Sequence, residues 1–242
     1  MRRILLIKAF IITCFSFYFT ACTGATIYKQ VNPVYKEKTF NDRTLVIVIQ
    51  DSLINSADRS TIDFIDNNIG NFENFFKDNL LKYLSQYSTI KEIGTIKLKK
   101  SYLKDKQFFK NRKTWEFVNS PVKGTIIKDA DSTAPGLVLI LFQTTLRSFY
   151  NFSNSNGVSQ GYISQNSARD GHINIEGRML LWDNIKGDVI TYGVFKANKY
   201  LQPLTEMTRN DFEDCLKLLV VDLTSETPIY NKEKASELKK LQ

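Results

Sequence analysis

Thr44 to Gln50 (TLVIVIQ) is β-branched and apolar at successive positions, which is the composition of a central strand covered on both faces. Leu137 to Phe142 (LVLILF) reads the same way and continues through Thr145. Between them the period changes. Ser60-Thr61-Ile62-Asp63 resembles a capping box with Asp in the Glu position. Ile62, Ile65, Ile69, Phe72, Phe76, Leu80, Tyr83 and Tyr87 then recur at steps of three and four, so the spacing predicts one long amphipathic helix. A second helix is expected over Asp211 to Leu223, with Phe212, Cys215, Leu216, Leu219 and Val220 on one face.

Ile90 to Leu98 alternates imperfectly as a strand, and Trp115 to Ile127 is a Pro-interrupted extended region. Ile173 to Trp182 and Val189 to Ala197 flank Asp183-Asn184-Ile185-Lys186-Gly187-Asp188, a turn-rich segment of hairpin length. The order β, α, β, β, β, β, α predicts an α+β fold: a mostly antiparallel sheet of four to five strands with two helices packed on one face. No internal repeat of solenoid or propeller period is present.

The amino terminus has a different pattern. Arg2 and Arg3 precede an apolar run from Ala9 to Phe19, which leads into Phe19-Thr20-Ala21-Cys22. These are the parts of a signal peptide, and the run is too short for a bilayer core of roughly 30 Å. Phe19-Thr20-Ala21-Cys22 resembles the lipobox of bacterial lipoproteins, with Phe where Leu is usual. That resemblance implies cleavage before Cys22, a lipid attached to Cys22, and a cell-envelope location. The other reading is an ordinary secretory signal cut near Ala25. Thr23, where an Asp would mark retention in the inner membrane, resembles the pattern of an outer-membrane destination facing the periplasm. Residues 22–42 are then the acylated Cys and a polar tether, 43–225 a single domain, and 226–242 a charged tail.

The element order also resembles small α+β modules of envelope lipoproteins, among them auxiliary lipoproteins of ABC transport and activators of peptidoglycan synthases. Leu180 to Ala197 (LLWDNIKGDVITYGVFKA) is similar to a Trp-Asp hairpin followed by a Tyr-Gly strand in envelope lipoproteins. Neither resemblance assigns a functional residue.

Composition narrows the chemistry. The 242 residues are 43% hydrophobic and 24% charged, a profile of one globular domain or two small ones. Cys14, Cys22 and Cys215 form no CxxC pair, which excludes a disulfide scaffold or zinc module. His172 is the only histidine. Gly157-Val158-Ser159-Gln160-Gly161 matches GxSxG, and Asp170 and His172 follow in hydrolase order. The flanks are polar loop rather than strand and helix, so no catalytic residue is assigned. Asp129 and Asp131 lack the continuation of a calcium loop and read as a solvated turn, and no metal or cofactor is expected. Cys215 reads as a core thiol, Asp211, Glu213 and Asp214 as acids suited to a helix N-terminus, and Glu176 as a lone acid without an obvious partner.

Two features remain. Lys97, Lys99, Lys100, Lys104, Lys106, Lys110, Arg112 and Lys113 crowd one segment, interleaved with Tyr102, Phe108 and Phe109. Residues 88–128 carry 11 basic and three acidic side chains, so this one segment holds a charge equal to the chain's whole +8. An exported protein would use it for anionic envelope components rather than nucleic acid; a solvated loop that only aids solubility is the alternative. Thr144 to Asp170 is rich in Ser, Asn and Gly, with Tyr150, Phe152 and Tyr162 among its aromatics; it reads as a contact loop or as a β-extension with a disordered tip. The expected function is a non-enzymatic, lipid-anchored binding or assembly module for a protein partner or an anionic envelope component. A lipid- or glycan-handling transport accessory, with a small apolar pocket between sheet and helices, is the second expectation.

Overall fold

A computed structural model describes residues 29–51, 53–90, 92–111, 114–129, 131–152, 169–201 and 207–238. The strands are β1 (Lys29–Val31), β2 (Leu45–Ile49), β3 (Ile54–Asn55), β4 (Ile93–Thr95), β5 (Asp105–Asn111), β6 (Thr114–Ser120), β7 (Leu137–Phe152), β8 (Arg169–Asp183) and β9 (Asp188–Tyr200). The helices are α1 (Arg59–Asn68), α2 (Phe72–Tyr87), α3 (Arg209–Thr224) and α4 (Lys232–Glu237).

The class is α+β, but the sheet is not the expected one. It has seven strands among the described residues, in the order β1-β9-β8-β7-β2-β4 with β3 also on β7. It is mixed: β2 runs parallel to both β4 and β7, and β3 parallel to β7, while β7, β8 and β9 form an antiparallel meander. The cause is the connection after β2. Two helices carry the chain back to the end of the sheet where β2 began, and a strand reached by such a crossover lies parallel to its neighbour; the segment between β4 and β7 makes a second crossover on the other face, so β7 is parallel to β2 as well. Four helices, not two, are present among the described residues.

The single long helix expected over residues 62–87 is two. Gly70 takes φ +77°, and the Ile69 and Gly70 amides both return to the Ile65 carbonyl, which closes α1. Asn71 then caps α2 by accepting from the Asn74 amide at 2.9 Å. The cap of α1 is Asp58, which accepts from the Thr61 amide at 2.8 Å, rather than Ser60. The apolar spacing runs through the break because both helices lie on the same face of the sheet.

Apolar cores form on both sides of the sheet, which explains the uninterrupted runs of β2 and β7. On one side Leu45, Ile47, Leu137, Leu139 and Leu141 meet Phe76, Leu80, Leu84, Phe212, Leu216 and Leu219 from the helices. On the other, Val48, Val138, Ile140, Leu180 and Trp182 meet Phe109, Val118 and Ile127. That second cover is a two-stranded ribbon, β5–β6, formed by the segment between β4 and β7. A bulge between Phe142 and Thr145, with Gln143 at φ +49°, resets the alternation of β7 so that Leu146 again faces the helices.

Both ends of the expected domain move outward. From Lys29 onward the segment read as a tether belongs to the fold: β1 pairs with β9, and Tyr35 and Phe40 are buried. The segment read as a charged tail is also built in through residue 238, with Ile229, Ala235 and Leu238 buried and the Phe40 amide donating to the Pro228 carbonyl at 3.0 Å. Isolated aromatics in a polar stretch carry no period, so the pattern along the chain does not reveal their docking.

Candidate functional site

The basic segment is organised by the ribbon. In the antiparallel register Lys106 lies opposite Asn119, Phe108 opposite Phe117 and Lys110 opposite Trp115. Side chains alternate between faces, so these six point one way. Gln107, Phe109, Glu116 and Val118 point the other, and Phe109 and Val118 are buried against the sheet. The outward aromatics are uncovered: Phe108 is 57% exposed, Trp115 71% and Phe117 38%. Phe108 and Phe117 pair with ring centroids 5.9 Å apart, and the Lys106 ammonium sits 4.5 Å from the Phe117 centroid.

Charge is segregated between the faces. Glu116 turns inward, where Arg178 of β8 reaches it at 2.9 Å and the Asn111 amide donates to it at 2.7 Å. By the alternation of the strands the outward face carries Lys106 and Lys110, and the other acid of the ribbon, Asp105, falls on the opposite parity at its base, accepting from the Lys106 amide at 2.8 Å. The ribbon is also firmly mounted. Besides Arg178, the Phe109 and Tyr192 rings meet edge to face at 6.2 Å. In the segment after β6, Trp182 donates to the Thr125 carbonyl, and Asn184 both accepts from the Ile127 amide at 2.6 Å and donates to its carbonyl at 2.8 Å.

Not all candidate residues share this face. Lys97, Lys99, Lys100 and Lys104 are exposed in the segment leading into β5, while Tyr102 is half-buried against the second core. Arg112 and Lys113, which join β5 to β6, lie outside the described residues, as do Cys22, Ser159 and Tyr162. Tyr150 and Phe152 fall on β7 opposite Gly171 and Arg169, at least seven residues along β8 from Arg178, or about 23 Å. The ribbon and the far end of the β7–β8 hairpin are thus separate places. Trp115 and Phe117 lie beyond the basic segment as first delimited. The signal that could have found them is the period of two through Thr114–Ser120.

Five of the other acids singled out in the sequence, Asp129, Glu176, Asp211, Glu213 and Asp214, have structural partners. Asp129 accepts from the amides of Asp131 and Thr133, a closed turn. Glu176, expected to be alone, is bridged by Arg147 at 3.1 Å and Lys196 at 3.8 Å. Glu213 accepts from the Tyr83 hydroxyl at 3.1 Å, and Asp214 from Lys217 at 2.8 Å. Asp211 accepts from the Thr208 amide at 2.8 Å and so caps α3. Cys215 is fully buried, and burial pushes its thiol up to about 12. Among the described residues no group of three His, Cys, Asp or Glu could hold a metal ion.

A cleft of about 460 Å³ opens where the base of the ribbon meets the β1–β9 edge, walled by Gln30, Asp105, Gln107, Lys123, Asp188 and Tyr192. It lies on the ribbon side of the sheet, whereas the second expectation put an apolar pocket on the helix side, and its walls mix these polar groups with Val31, Pro121, Trp182 and Val189.

No family model matches this chain, and no curated protein matches it. Among solved structures, one that is similar is a protein described as a homolog of the neuraminyllactose-binding hemagglutinin, from Helicobacter pylori. It has a TM-score of 0.40 and 11% identity, over 86% of this chain and 94% of the other. Another is a PelC dodecamer from Paraburkholderia phytofirmans, with a TM-score of 0.36 and 9% identity, over 84% of this chain and 95% of that one. No residue of this chain takes a role from either.

Proposed function

We propose that this protein is a lipid-anchored envelope protein, attached through Cys22, whose domain is a non-enzymatic binding module contacting a protein partner or an anionic envelope component. The observation that carries the binding part is the outward face of β5–β6, where three exposed aromatics and two lysines stand together on a firmly mounted ribbon. Exposed aromatic clusters of this kind are uncommon on surfaces with nothing to bind. The anchor rests on the Phe19-Thr20-Ala21-Cys22 sequence. No helix among the described residues is long and apolar enough to cross a membrane.

Two measurements test the reading separately. Cys22→Ser should release the protein from sedimented membranes, and unchanged retention would remove the anchor. Phe108→Ser with Trp115→Ser and Phe117→Ser should abolish crosslinking to envelope components in intact cells while leaving the fold, read by circular dichroism, unaltered. Undiminished crosslinking would remove the ribbon as the contact surface. The cleft at the ribbon's base favours a second reading, a transport accessory that holds a small ligand with both polar and apolar groups.

A further inference from the structure

The ribbon's outward face has the chemistry of a surface that lies in a membrane interface. Trp and Phe on one side of a rigid element, flanked by Lys, seat at the boundary between headgroups and acyl chains, where the rings leave water and the ammonium groups meet phosphates. Phe108, Trp115 and Phe117 supply the rings and Lys106 and Lys110 the charges; of the ribbon's two acids, Glu116 is turned inward onto Arg178, and Asp105 stands at the base, where its carboxylate accepts from the Lys106 amide at 2.8 Å. A buried protein interface would more often exclude lysines from the centre of such a patch.

The position of the patch relative to β1 argues the same way. β1 begins at Lys29, whose ammonium is buried 2.9 Å from the Ser225 hydroxyl and 3.5 Å from Asp222. Gln30 and Val31, the next residues, line one cleft with Asp105, Gln107 and Pro121 from the base of the ribbon. Cys22 precedes Lys29 by seven residues, which can span at most about 25 Å in any conformation. A domain of this size is about 40 Å across. With Cys22 held by a lipid, Lys29 stays within that reach of the bilayer, which limits how far the domain can turn its β1 edge away from the surface. The base of the ribbon lies beside β1, and so does its middle: the Phe109 ring meets Tyr192, which pairs with Gln30.

We infer that the outward face of β5–β6 docks on an anionic phospholipid surface as a second membrane contact, with Trp115, Phe108 and Phe117 inserted at the headgroup boundary and Lys106 and Lys110 on phosphates. The inference rests on the binding reading of the ribbon, and it fixes both the partner and the orientation of the domain.

The chain has two tryptophans, Trp115 exposed and Trp182 buried, so fluorescence reports the contact directly. The full chain carrying Cys22→Ser, with no acyl chain to supply affinity, is mixed with vesicles of equal phosphatidylglycerol and phosphatidylcholine, and with phosphatidylcholine alone. The expected result is a blue shift with the anionic vesicles and quenching by lipids brominated on their acyl chains, both lost in Trp115→Phe. Phe108→Ser with Phe117→Ser in the same background shows what the ribbon adds beyond the apolar N-terminal run. Partitioning should weaken about fivefold for each of Lys106→Gln and Lys110→Gln, the equivalent of about 1 kcal/mol per basic residue near an anionic surface. Trp182 emission in Trp115→Phe serves as the check that the fold is intact.

Trp115 emission unchanged by anionic vesicles overturns the inference, and so does an equal response to neutral ones. If Trp115 ignores vesicles while the ribbon still crosslinks to an envelope protein, membrane docking falls and the binding module stands. If the ribbon variants change neither vesicle response nor crosslinking, both fall.

Discussion

Asp183→Ala tests whether residues 29–42 are part of the fold. The Asp183 carboxylate is fully buried at the end of β8 and accepts four hydrogen bonds. They come from Arg43 Nη1 at 2.9 Å, the Tyr35 hydroxyl at 3.0 Å, and the Ile185 and Lys186 amides at 3.1 and 3.2 Å. Truncation leaves the Tyr35 hydroxyl buried without a partner, about 1–3 kcal/mol, and removes a charged hydrogen bond from Arg43, about 1.5–3 kcal/mol. Arg43 keeps 18% of its side chain in water and can partly re-solvate. The expected loss is therefore about 3 kcal/mol, near the lower end for breaking a buried ion pair.

Urea unfolding of wild type, Asp183→Ala, Tyr35→Phe and the double variant measures this as a cycle. Tyr35→Phe alone should cost about 1 kcal/mol but, in the Asp183→Ala background, should recover about 1 kcal/mol by removing the unpaired hydroxyl. The pH dependence has a definite sign. Burial alone would raise the Asp183 carboxyl, but hydrogen bonds from Arg43, the Lys186 amide and Tyr35, with the Arg43 charge, hold it below the usual carboxylate value. A carboxyl depressed in the folded state adds stability above its unfolded pKa of about 3.9 and loses it as pH falls through the folded value. The penalty of Asp183→Ala should shrink below about pH 4. A loss under about 1 kcal/mol at neutral pH, or additive single effects, would refute the latch. Because the latch holds Tyr35 and Arg43, it also bounds the length of chain between Cys22 and the domain.

Cys215 should resist alkylation at pH 8 in the native protein, because burial pushes its thiol up to about 12, and react only in denaturant; native labelling would contradict its burial. Gly177→Ala places a Cβ 2.5 Å from Phe195 Cζ, so we expect a loss of about 1–3 kcal/mol that Phe195→Leu partly relieves, read as urea midpoints. Gly70→Ala has open space around the new methyl but inherits φ +77°, and thermal unfolding should show a loss of about 1 kcal/mol from backbone strain alone. Equal stability of Gly70→Ala and wild type would mean that the residue does not hold the left-handed turn between α1 and α2.

The chain's own pattern determined the elements whose burial is regular. Leu45–Ile49 and Leu137–Phe142 are apolar at every step because helices cover one face of their sheet and the ribbon the other. The apolar face of α3 was legible for the same reason, since Phe212, Cys215, Leu216 and Leu219 recur at the helical period and all are buried. The hairpin at residues 183–188 was legible from its turn residues, with Gly187 at φ +63°.

What was not legible depends on partners distant in sequence. Strand direction follows from where the crossover lands, and no property of β2 alone says that β4 and β7 will run parallel to it. Tyr35 and Phe40 look like stray aromatics until Asp183 and Pro228 meet them. The ribbon shows the limit most directly. Both of its faces are apolar enough to be buried: Phe109 and Val118 on one, Phe108, Trp115 and Phe117 on the other. Alternation within β5 and β6 separates these two sets but does not say which faces the core. Only the packing of Phe109 and Val118 beside Trp182, with Arg178 drawing Glu116 inward, decided that the larger aromatic set and the lysines would be left to solvent.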